Sequence, residues 1–183
     1  AILFPTLYLK LLHEVGLLVV LSVLIMVSAN PKILAAVINC VANTPCDGTS
    51  GNDKMNGSVG IDNMNGLDGK DRMDGSTGAD KMKGGAGSDN INGGDGPDFI
   101  DELLDTSKNV ISGGSGDDSV KGGNADDTIN GNADQDALLG YGGNDKIRGD
   151  IGSDTLQGLD GNDLLDGGEG DDGGGLGHAF GQP

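Results

Sequence analysis

An aspartate recurs every nine residues through two long stretches of the chain. The first holds Asp53, Asp62, Asp71, Asp80, Asp89 and Asp98, and the second Asp118, Asp127, Asp136, Asp145, Asp154, Asp163 and Asp172. Five residues before each of these thirteen carboxylates stands a glycine, from Gly48 to Gly167. A second glycine stands two residues before it in eleven cases, the exceptions being Ala125 and Asp134. Carboxylate oxygens beside turns that can aim backbone carbonyls at one point suit a hard cation, and calcium takes six to eight such oxygens. Glycine at the first and fourth places of the nine is expected to supply that turn through positive φ. The thirteen aspartates are therefore the expected metal ligands.

Those ligands need a scaffold that repeats with them. Two residues after each aspartate comes an aliphatic residue or Met: Met55, Met64, Met73, Met82, Ile91, Ile100, Val120, Ile129, Leu138, Ile147, Leu156 and Leu165, with Gly174 alone breaking the series. Alternation about that eighth place is strand-like, with the eighth residue inward and the seventh and ninth outward. Lys54, Arg72, Lys81, Lys83, Lys121, Lys146 and Arg148 all fall on the outward places. The Met ladder at an inward place reads as core filling rather than as a soft-metal site.

Units such as Gly84-Gly85-Ala86-Gly87-Ser88-Asp89-Asn90-Ile91-Asn92, and the nine residues from Gly113 to Lys121, carry the pattern G-G-x-G-x-D-x-U-x with U aliphatic. This pattern resembles the RTX (hemolysin-type) calcium-binding nonapeptide repeat, and the resemblance spans about 125 of the 183 residues. It implies an all-β fold, a right-handed parallel β-roll in which each unit is a half-turn of six loop and three strand residues, with Ca2+ bound between stacked loops. Residues 102–112 depart from the period and end in the strand-like triplet Val110-Ile111-Ser112. Counted as one enlarged half-turn, they keep two loop columns in phase, giving fourteen half-turns, or seven turns about 34 Å long at strand spacing. Of twelve same-side pairs, ten avoid the irregular loop, and about ten Ca2+ would offset the formal charge of −18.

With one aliphatic side chain per nine residues and stacked carboxylates repelling one another, the metal-free repeats are expected to be disordered, with metal binding coupled to folding. Scattered glycine and acid would indicate a disordered chain; the fixed register overturns that reading. The excess of 29 Asp and Glu over 11 Lys and Arg excludes nucleic acid as a partner, because such a chain repels phosphate. The chain lacks a His-Glu-x-x-His zinc motif, a Gly-x-Ser-x-Gly elbow and a phosphate loop, so no catalytic residue is assigned and the chain is not expected to be an enzyme.

Residues 1–46 are different. They are apolar, expected to be helical, and carry only Lys10, Glu14 and Lys32 as charged side chains, with His13. Three readings are open: a retained segment buried in an assembly, a signal peptide ending near Val27-Ser28-Ala29, or a membrane anchor, for which the uncharged run Val15 to Ala29 is short. Each takes the chain out of the cytoplasm, where Cys40 and Cys46 could form a disulfide. The roll is expected over residues 47–175, followed by a short tail at 176–183. The expected function is that of a secreted, calcium-rigidified structural protein that self-associates into a filament, matrix or surface layer. A monomeric calcium-dependent adhesin or buffer, and the repeat end of a larger secreted enzyme, are the alternatives.

Overall fold

The structure, a computed structural model, describes residues 35–174 and 178–179. It is a parallel β-solenoid whose strands alternate between two facing sheets. One sheet runs β1 (Val37–Asn39), β3 (Lys54–Asn56), β5 (Arg72–Asp74), β7 (Asn90–Asp95), β9 (Val110–Ser115), β11 (Thr128–Ala133), β13 (Lys146–Ile151), β15 (Leu164–Glu169) and β17 (His178–Ala179). The other runs β2 (Pro45–Asp47), β4 (Asn63–Asp68), β6 (Lys81–Ala86), β8 (Phe99–Asp101), β10 (Ser119–Gly123), β12 (Ala137–Gly142), β14 (Thr155–Asp160) and β16 (Gly173–Gly174). Successive nonapeptides therefore fall on opposite sheets, and each strand pairs with the one two units on. Among the described residues there is no helix.

The register stacks like on like. Met55 lies over Met73 and Met64 over Met82, and the eighth-place side chains from Met55 to Leu165 form one buried file between the sheets. The irregular half-turn keeps this phase: Ile91 pairs with Ile111, and Ile111 with Ile129. Counting it as one half-turn is correct. Many strands run six residues rather than three, continuing from the seventh place through the third of the next unit.

The expected backbone geometry needs one correction. Positive φ falls at the second and fourth places, not the first. Leu67, Tyr141 and Leu159 occupy the second place at φ 78, 75 and 70 despite their side chains, and Gly69 and Gly87 the fourth at 139 and 135. The first glycine is required by space instead: at Gly66 a Cβ would collide with the Asp71 carboxylate and the Gly84 carbonyl.

The apolar N-terminal segment is also corrected in its described part. Residues 37–39 and 45–47 are strands that extend the roll rather than helix, with Cys46 stacked over Met64 and Ile38 over Met55. Cys40 and Cys46 form a disulfide, and both are buried with the core file. Part of the apolar surplus expected to seek an outside partner, including Ala36 and Cys40, is thus buried in the first turn. The readings that concern residues 1–34 lie outside the described residues.

Candidate metal centre

Each sixth-place aspartate immediately precedes a strand, so the ladder that holds the strand also holds its carboxylate. The thirteen aspartates fall in two columns, one along each rim of the roll. In one, Asp53, Asp71, Asp89, Asp127, Asp145 and Asp163 succeed one another; in the other, Asp62, Asp80, Asp98, Asp118, Asp136, Asp154 and Asp172. Within each column the backbone N–H donates to Oδ1 of the next member, as from Asp53 to Asp71 at 2.7 Å, Asp98 to Asp118 at 2.7 Å and Asp136 to Asp154 at 2.8 Å, except that Asp89 donates to Asn109; Asp163 and Asp172 end the series. All are buried except Asp172.

The second carboxylate oxygen has a different fate. At the head of each column it is held by its own loop: Asp53 Oδ2 accepts the Thr49 N–H at 2.5 Å and Asp62 Oδ2 the Ser58 N–H at 2.6 Å. Beyond the heads, Oδ2 of Asp71, Asp80, Asp89, Asp98, Asp118, Asp127, Asp136, Asp145, Asp154 and Asp163 is buried with no hydrogen-bond partner. A buried carboxylate oxygen with no donor costs several kcal/mol if ionised. Burial accordingly pushes Asp71, Asp98 and Asp145 up to about 6 and Asp89, Asp118, Asp127 and Asp136 up to about 7, against the opposing pull of the N–H that each accepts.

What surrounds these oxygens is more oxygen. At the loop from Gly66 to Asp71, a Cβ on Gly66 would meet Asp71 Oδ2 and the Gly84 carbonyl, and one on Gly69 would meet the Gly51 carbonyl and, at 3.1 Å, Asp71 Oδ1. The three described ion pairs, Lys121 with Asp101 and Arg148 with Asp150 and Asp166, all lie on the outward strand faces. A set of carboxylate and carbonyl oxygens, without nitrogen or sulfur, fits a hard divalent cation and neither zinc nor copper. The residues present therefore fit calcium.

Three residues of the irregular half-turn belong to this centre and were missed as ligand candidates. Asn109 occupies the sixth place: its Oδ1 accepts the Asp89 N–H at 2.9 Å, and its own N–H donates to Asp127 Oδ1 at 2.6 Å. The signal was available, since Asn109 stands two residues before the inward Ile111 as every repeat aspartate does before its aliphatic. Glu102 and Asp105 are buried beside Asp89, and burial pushes Glu102 up to about 8. Their place could not be read from the period, because they lie in the segment that breaks it.

The fold and this geometry define a calcium-binding parallel β-roll. The family model for the RTX calcium-binding nonapeptide repeat matches in four copies, over residues 47–82, 65–100, 105–138 and 139–173. The chain belongs to that family, and it is a calcium-binding repeat protein. The matched segments leave out residues 101–104, where the irregular half-turn begins. Among curated proteins, no sequence matches the chain.

Proposed function

We propose that the chain is a non-catalytic extracellular structural module: the thirteen sixth-place aspartates, with neighbouring loop carbonyls, hold about ten Ca2+, and the loaded roll is a stiff rod that self-associates. The observation that carries the reading is the row of buried, partnerless Oδ2 atoms facing carbonyl oxygens. A fold with that many unpaired buried acceptors is stable only when something positive occupies both rims. Loops built on backbone carbonyls and shared carboxylates suit the weak, roughly 10⁻⁴–10⁻³ M calcium sites of extracellular modules, and the disulfide at Cys40–Cys46 suits an oxidising compartment.

Self-association is supported by the N-terminal end. Val37, Val41, Val59 and Ile61 are exposed within the first turns, and the sequence of residues 1–34 is apolar. Exposed strand edges and apolar patches recruit partners, and contacts that do not close generate filaments. Sedimentation and negative-stain microscopy of the full chain, with and without calcium, test this. Calcium-dependent elongated assemblies are expected. Monodisperse calcium-loaded monomers would favour the adhesin or buffer reading and remove the filament.

A further inference from the structure

Glu102 enters the roll as a side chain where the repeat uses backbone. At Gly48, Gly57 and Gly75 the first-place N–H donates to the carbonyls of Asn65, Asp74 and Asn92, at 2.7, 2.6 and 2.9 Å. At Gly84 the N–H donates to the Glu102 carboxylate, and the Gly85 N–H adds a second bond to it at 3.1 Å. The same Gly84 faces Asp89 Oδ2, which would collide with a Cβ placed there. The two carboxylates therefore converge on one glycine.

Asp105 closes the group from the other side. Its Oδ2 accepts the Asn109 Nδ2 at 3.0 Å and its Oδ1 the Thr106 N–H at 2.7 Å. One oxygen from each of Asp89, Glu102 and Asp105 lies within 4.8 Å of the others. The three residues are 2%, 0% and 8% exposed, and Asp89 Oδ2 has no hydrogen-bond partner. None of the described ion pairs brings a Lys or Arg to them. Three carboxylates this close and this dry repel strongly unless a cation sits among them.

We infer that Asp89, Glu102 and Asp105 form a divalent-cation site of their own kind, in which side-chain carboxylates of the irregular half-turn replace the loop carbonyls of the repeat and bind calcium more tightly than any repeat site. The inference rests on the reading that Asp89 faces an ion along the rim. A repeat ion shares each aspartate with its column neighbour. Here three carboxylates serve one position, and affinity rises with ligand charge and rigidity. The irregular segment therefore does not interrupt the ion column; it carries the column's strongest link.

The test is calcium binding by the full chain, read by equilibrium dialysis across buffered free-calcium levels, for the parent and for Glu102→Gln, Asp105→Asn and Asp101→Asn. The parent should show one tight ion that fills about tenfold or more below the remainder. Glu102→Gln keeps one oxygen for the Gly84 N–H and gives up the Gly85 bond to the second oxygen, so the roll should still form in saturating calcium by circular dichroism while the tight ion is lost. Asp105→Asn should do the same, and Asp101→Asn, an exposed-face neighbour paired with Lys121, should retain it. If Glu102→Gln loses its β signal in saturating calcium, Asp105→Asn alone decides. A single weak class in the parent, or a tight ion unchanged in both site variants, overturns this inference while leaving the repeat sites standing. Absence of all calcium binding overturns the repeat reading with it.

Discussion

Along the rim that holds Asp71, Asp89, Asn109 and Asp127, three half-turns are built on nine residues and one on eleven. The nine-residue loops give their aspartate N–H to the next carboxylate along the rim and leave one carboxylate oxygen per turn bare. The eleven-residue loop brings in Glu102 and Asp105 and replaces the repeat aspartate by an amide. Asn109 still accepts from Asp89 and still donates to the next member, so the ladder passes through unbroken. The strand triplet that follows also keeps its place, with Val110 and Ile111 paired to Asn90 and Ile91. The difference shows that the roll tolerates a change in loop chemistry wherever two things survive: an acceptor at the sixth place and an aliphatic two residues later.

Metal removal should have the largest effect on both kinds of loop. In chelator at neutral pH the bare carboxylates lose their cations and keep only part of their protons, and the single-file core is thin. The far-ultraviolet circular dichroism signal for β structure should fall to that of an unordered chain and return on adding calcium. Retained β content at strict metal removal would show that the core alone carries the fold, and that the two loop types differ only in decoration.

The regular loops are probed next by Asp154→Ala. It deletes a ligand oxygen and strips the acceptor from the Asp136 N–H, leaving a buried donor unpaired at a cost of about 1–3 kcal/mol. Asp101→Ala removes a partly exposed pair with Lys121 at 3.3 Å, worth about 0–1 kcal/mol, and the acceptor of the Leu103 N–H in the adjoining turn, and it deletes no repeat ligand. Thermal unfolding in saturating calcium should therefore separate the two clearly, and calorimetric titration should show fewer ions for Asp154→Ala only. Equal behaviour would mean that the nine-residue register misassigns the ligands.

Much of this was legible in the sequence because the repeat aligns each residue with the same place in every unit. The sixth-place aspartates, the inward file from Met55 to Leu165 and the parity of the two sheets follow from a constant period of nine. What was not legible has physical reasons. The sequence places glycine at the first position of every unit, yet the constraint there is a colliding aspartate carboxylate or carbonyl, whereas the left-handed turn falls at the second and fourth places and is adopted even by Leu67 and Tyr141. The strands at Val37–Asn39 and Pro45–Asp47 lie in an apolar stretch with no glycine and no sixth-place acid to mark a half-turn. They join the roll because Cys46 and Ile38 extend its core file. Glu102 and Asp105 escaped because a period says nothing about residues placed where it fails.

Asn109→Asp asks whether the irregular loop needs its amide. The substitution restores the repeat residue but removes the Nδ2 donor to Asp105 Oδ2 and sets two buried carboxylates against each other. The calcium midpoint for folding should rise by severalfold, a loss of about 1 kcal/mol. An unchanged or lower midpoint would show that the eleven-residue loop accepts the repeat chemistry as it stands, and the contrast drawn between the loops would narrow to length.

The smallest effect expected is on pH, and it bears on the two loop types together. Burial raises Asp71, Asp98 and Asp145 to about 6, Asp89, Asp118, Asp127 and Asp136 to about 7, and Glu102 to about 8, all above their values in an unfolded chain. Between the unfolded and folded values the metal-free roll binds more protons than the unfolded chain does. Its stability is thus greatest in acid and is lost as pH rises through about 6 to 8. Calcium must displace those protons, so loading runs the other way and weakens as pH falls. Metal-free protein should gain some β signal between pH 8 and 5.5, a range kept above the isoelectric point near 4.1 to avoid precipitation. Over the same interval the calcium midpoint should climb by about threefold or more. Glu102→Gln should flatten the upper part of that climb, near pH 8, and leave the part near pH 6 as it is. A calcium midpoint independent of pH would mean that the carboxylates are already ionised in the metal-free roll, and that their burial is relieved by water rather than by protons.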